Sequence, residues 1–114
     1  MSPLKSLTTK RAREVVEVVR SKGYRMSMPE EHEDCAESYL ECCGSVLRVV
    51  FFDPRYSGGV VAKVTPQLGD CDEALYSPQG LYVLSESPEE AAAQLLRKAQ
   101  FVARTASTER PSEA

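Results

Sequence analysis

Residues 46–52 read VLRVVFF, a run of β-branched and aromatic side chains interrupted by one arginine. Gly44-Ser45 precedes the run and Asp53-Pro54 follows it, so turn formers bound a segment too short for a helix. A strand with almost no polar face belongs in the middle of a sheet, covered on both faces, or on one face plus a partner. Alternation puts Phe51 on one face and Phe52 on the other, so both faces need a cover. A chain of 114 residues has to provide that cover from one domain's worth of sequence.

The remaining elements are read from period and punctuation. VVAKV, 60–64, pairs with the first strand as an antiparallel hairpin across the loop Asp53–Gly59. ALYSPQGLYVLS, 74–85, reads as a second hairpin on a Ser-Pro-Gln-Gly turn, with a one-turn helix at 70–76 as the rival reading. Ala12, Val15, Val16 and Val19 share one face of a helix placed at about 8–22, which Gly23 can end in a left-handed conformation. The last helix opens with cap, proline and glutamate in register, Ser87-Pro88-Glu89-Glu90. Its apolar face is Ala92, Leu95, Leu96, Ala99, Val102 and Ala103. TASTERPSEA, 105–114, has no period and is expected to be a disordered tail behind a single domain at 1–104.

PEEHEDCAESYLECCG, 29–44, contains six carboxylates, no lysine or arginine, three of the four cysteines and the one histidine. His32, Cys35, Ala36, Tyr39, Leu40 and Cys43 fall at helical spacing, Ser27 and Glu30 match a capping box, and Gly44 can stop the turn. The segment is therefore expected to be a helix with thiols and tyrosine buried and acids outside. The predicted fold is α+β, an antiparallel sheet of three to four strands against two or three helices in the order α-α-β-β-(β)-β-α.

Charge is uneven along the chain. Residues 1–25 carry seven bases against two acids, residues 26–45 carry six acids and no base, and the net charge is −3. Such asymmetry speaks to partners or internal pairing rather than to fold. The apolar runs fall far short of the ~20 residues of a membrane span, and the basic start has no apolar stretch after it, so neither a span nor a secretory signal is expected. A cytoplasmic, reducing setting with free thiols follows.

Few chemistries suit these residues. His32, Cys35, Cys42 and Cys71 supply donors for zinc, but H-x2-C-x6-CC matches no paired-knuckle spacing. A Cys35–His32 nucleophile would sit among Glu31, Glu33 and Asp34, which oppose thiolate formation. Gly58-Gly59 lacks the Gly-Lys-Ser/Thr of a phosphate loop. No cofactor is expected.

Over residues 8–103 the helix-strand-strand-strand-helix order resembles a double-stranded-RNA-binding domain. That family reads phosphates with a basic start to its last helix; here the start is Ser87-Pro88-Glu89-Glu90, and the acidic segment is foreign to it. In size and charge the chain is similar to short acidic proteins of phage and mobile elements, anti-CRISPR and toxin-immunity proteins among them, without a shared motif. The expected function is a non-enzymatic inhibitor or adaptor docking on a basic protein surface. Glu30, Glu33, Asp34, Glu37 and Glu41 would form the acidic ridge, and Asp53, Arg55 and Tyr56 a recognition loop. A homodimer would also cover the second sheet face. The alternatives are a zinc- or thiol-dependent catalytic or sensor domain, and weak nucleic-acid binding by the N-terminal bases.

Overall fold

The computed structural model describes residues 3–33, 35–52, 59–66, 71 and 80–109. Among these, α1 (Pro3–Ser21) leads into β1 (Arg25–Met26), β2 (Glu30–Glu31), β3 (Ala36–Cys42), β4 (Ser45–Phe52), β5 (Val60–Thr65) and β6 (Leu81–Ser85), and α2 (Pro88–Glu109) closes the chain. The strands form one antiparallel sheet in the order β1-β3-β4-β5-β6, with β2 also on the outer edge of β3. The architecture is α+β, as expected, with six strands and two helices among the described residues.

The central place of VLRVVFF is borne out. β4 has β3 on one side and β5 on the other, and Val49, Val50 and Phe51 are all buried. The first and last of the expected helices are present. Gly23 takes φ +94 after α1. The Ser87 hydroxyl accepts a bond from the Glu90 amide at 3.2 Å at the start of α2. α2 runs on to Glu109, through residues read as tail. β6 is the second arm of the second expected hairpin. Residues 53–58, 67–70 and 72–79, with the first arm and most of the rival one-turn helix, lie outside the described residues.

Segment 29–43 is not a helix. It forms β2, a tight turn in which the His32 amide donates to the Cys35 carbonyl at 2.8 Å, and β3. β3 meets β4 over seven facing residues, Ala36↔Phe51 to Cys42↔Ser45. A helix here would leave that edge of β4 unpaired in the interior, and each unmade buried hydrogen bond costs about 1–3 kcal/mol. Helix preference is worth only a few tenths of a kcal/mol per residue, so the ladder wins. Gly44, read as a helix stop, instead forms a two-residue turn with Cys43. Both have positive φ, +62 and +81, as the primed turn of a tight hairpin requires.

The helices cover one face of the sheet. Register aligns Ala36, Ser38, Leu40 and Cys42 of β3 with Leu47, Val49 and Phe51 of β4, then Ala62 and Val64 of β5 and Val83 of β6. Ala12, Val15, Val16 and Val19 of α1 and Leu95, Leu96, Ala99 and Val102 of α2 complete this core. No described helix is long and apolar enough to cross a membrane.

Candidate functional site

The sheet face turned away from the helices carries Glu37, Tyr39 and Glu41 of β3, Val46, Arg48, Val50 and Phe52 of β4, Lys63 and Thr65 of β5, and Tyr82 and Leu84 of β6. Its middle is dry. Arg48 is 4% exposed, and Val50, Lys63 and Thr65 are 0% exposed. A disulfide from Cys35, just before β3, brings Cys71 onto this face against Val50 and Phe52.

Buried charge needs partners. Arg48 Nε donates to Glu37 Oε2, and His32 Nε2 lies 3.3 Å from Glu37 Oε1. Burial alone pushes the Glu37 carboxyl up, but the hydrogen bond and charge of Arg48, with His32 beside it, hold it below its ordinary value. Lys63 Nζ sits 4.9 Å from the centre of the Tyr82 ring, a cation–π contact between facing residues of β5 and β6. Burial lowers the Lys63 pKa.

Glu30 faces Glu37 in register, and donor atoms of Glu30, His32 and Glu37 lie within 4.8 Å of one another. These three residues could hold a cation, but Glu37 already accepts from Arg48, whose charge opposes one. The arrangement is better suited to fixing the β2–β3 turn on the sheet than to carrying a reaction.

The two sheet edges are blunted differently. β1 and β2 are two residues each and separated by Pro29; between them the Ser27 hydroxyl accepts from the Tyr39 amide at 2.8 Å. At the other edge, side chains of α2 reach the outward carbonyls of β6. Gln94 Nε2 donates to Leu84 O at 2.9 Å and Lys98 Nζ donates to Tyr82 O at 2.5 Å. α2 thus packs on the sheet face with one side turned to the free edge of β6. Phe101, one turn beyond Lys98, is 54% exposed, and Tyr82 and Leu84 are 41% and 62% exposed. Exposed Glu86, Glu89 and Glu90 follow at one end of this border, and Arg97 and Arg104 lie on the outer side of α2.

The acids of the expected ridge do not lie on a helix: Glu30, Glu37 and Glu41 share the sheet face turned away from the helices. Strand alternation turns Glu37 and Glu41 to the face away from the helices and Glu31 toward α1, where it accepts from the Thr9 hydroxyl at 2.5 Å. Glu37 belongs to Arg48, and Glu41 faces Arg25 across the β1–β3 register. Glu30 and Glu33 are exposed. Tyr39, expected inside, is 37% exposed. Asp34, Asp53, Arg55 and Tyr56 lie outside the described residues.

The structure departs from the expected free thiols at Cys35 and Cys71, whose sulfurs are bonded. Cys42 and Cys43 are neighbours at the β3–β4 turn, Cys42 buried and Cys43 exposed. The zinc set His32, Cys35, Cys42 and Cys71 is not assembled either, because Cys42 points to the helix-covered core while Cys35 points to the opposite face. Sequence reasoning missed the β6–α2 border. The signal was Phe101, an aromatic residue off the apolar stripe of an otherwise regular helix.

No protein-family model matches the chain, and neither a curated protein nor a solved structure shows significant similarity to it.

Proposed function

We propose that the chain is a small non-enzymatic protein-binding domain, an inhibitor or adaptor, and that it docks through the β6–α2 border rather than through an acidic helix. The exposure of Tyr82 and Leu84 on β6 and of Phe101 on α2, whose Gln94 and Lys98 reach the β6 edge, carries this reading. Large apolar and aromatic side chains ringed by charge are the usual anchors of protein interfaces. The acids Glu86, Glu89 and Glu90 beside Leu84 suit a partner with a basic rim, which keeps the expected charge preference and moves its location.

The test is affinity capture from source-cell lysate by the wild type and by Leu84→Asp and Phe101→Asp variants, with folding checked by circular dichroism. A species retained by the wild type and lost with both folded variants supports the border. Equal retention by the variants refutes it. Light scattering on the wild type separates self-association from capture of another protein.

The expected cytoplasmic setting would hold the cysteines reduced, whereas the paired sulfurs favour an oxidising compartment. Alkylation of the protein as drawn from its source, followed by intact mass, decides between them.

A further inference from the structure

The acids near Leu84 call for a basic partner, and the same helix carries a base that answers them. Glu90, Gln94, Arg97 and Phe101 follow one another at i, i+4, i+7 and i+11, so they share one side of α2. Gln94 fixes where that side points. Its Nε2 donates to Leu84 O at 2.9 Å and lies 3.5 Å from Glu90 Oε1. The row is therefore on the side turned to the free edge of β6. Glu90, Arg97 and Phe101 are exposed, and so is Ala93 between the first two.

Charge along this row is polarised. Glu89 and Glu90 stand in the first turn of α2, and Arg97 stands two turns on, about 10 Å further along the axis. A row with acid at one end and base at the other complements itself when turned end for end. Its alternating steps of four and three residues are also those at which two helices pack side by side. Set antiparallel about a two-fold axis at Ala93 and Gln94, two copies bring Glu90 of each against the partner's Arg97, and both pairs form at once. Ala93 at the axis has only a methyl group to hold the helices apart. Phe101 of each copy then lies toward the start of the partner's α2.

We propose that a second copy of this chain occupies the β6–α2 border, in an antiparallel α2–α2 dimer held by reciprocal Glu90–Arg97 pairs around Ala93. Resting on the reading of this border as a docking surface, the dimer adds regulation to it: another protein docks there only by displacing the second copy. Gln94 and Lys98 stay on the β6 carbonyls, so the two sheets do not join.

Sedimentation equilibrium on the full chain, over a wide concentration range at low salt, reads the association. The wild type is expected to pass from 12.6 kDa to twice that mass. Glu90→Arg and Arg97→Glu each set like charges together across the axis, so each alone is expected to raise the dissociation constant by at least about tenfold. Mixed in equal amounts, the two variants restore both pairs and are expected to associate as the wild type does. Circular dichroism checks that each variant is folded. A wild type that stays at 12.6 kDa, single variants that associate as tightly as the wild type, or a mixture that stays dissociated would each overturn the proposal. A monomeric wild type whose capture of another protein is lost in Leu84→Asp and Phe101→Asp removes the dimer and leaves the docking border standing. Charge-dependent dimers with capture unchanged in those variants do the reverse.

Discussion

Removing the Cys35–Cys71 bond tests how the second face is held. The perturbation is the double change Cys35→Ala and Cys71→Ala, which avoids a buried hydroxyl at position 35. Chain-entropy arguments put cross-links closing 15 and 100 residues at about 3 and 4.7 kcal/mol. A separation of 36 residues falls between them, at about 4 kcal/mol. An unfolding entropy of about 2.1 cal/mol/K per residue gives roughly 240 cal/mol/K for 114 residues. The melting temperature should therefore fall by about 15 °C. Circular dichroism melts of both proteins, at equal concentration and without reductant, measure it. A fall below about 5 °C would mean that the connection between β5 and β6 is held by its own packing, and the loop-closure argument would be wrong.

Three further outcomes follow from the buried polar groups. Glu37 has a lowered folded pKa, so its contribution is present above its unfolded value and is lost as pH falls through the folded one. Glu37→Gln should thus be less stable than the wild type at neutral pH and show a flatter loss in acid, as read by urea melts from pH 7 to 2; parallel curves would refute the pairing. For Lys63 the slope with pH has the same sign, but what rising pH removes is a cost. Its lowered folded pKa means that deprotonation relieves a cost, so wild-type stability should gain on Lys63→Met as pH rises toward 10.5, and a constant difference between the two would count against desolvation. Ser38 is fully buried with no hydrogen-bond partner for its hydroxyl among the described residues, so Ser38→Ala should raise stability by about 1 kcal/mol, visible as a melt about 4 °C higher; a lower melt would reveal a partner.

The elements legible in the sequence were those with one consistent period. Ser87-Pro88-Glu89-Glu90 opens α2, the Ala12-Val15-Val16-Val19 face defines α1, and the β-branched runs are β4 and β5. Segment 29–43 satisfied two periods at once. His32, Cys35, Ala36, Tyr39 and Leu40 fit a helical stripe, but Ala36, Ser38, Leu40 and Cys42 also alternate with Glu37, Tyr39 and Glu41. The deciding fact was not local: a strand as apolar as β4 needs a neighbour on both edges, and β5 supplies only one. The helical form of the acidic ridge fell with the helix, and within the sheet Arg48, 11 residues further on, takes Glu37. The Cys35–Cys71 disulfide was obscured by the assumption of a reducing compartment.

Two long side chains mark where this sheet stops. Lys98 and Gln94 occupy carbonyls that would otherwise invite another strand, and they do so from a surface helix that water and other molecules can reach. Masking the charge of Lys98, as acetylation does, would unfasten one of these two guards. The blunting of the β6 edge thus rests partly on a single ammonium group.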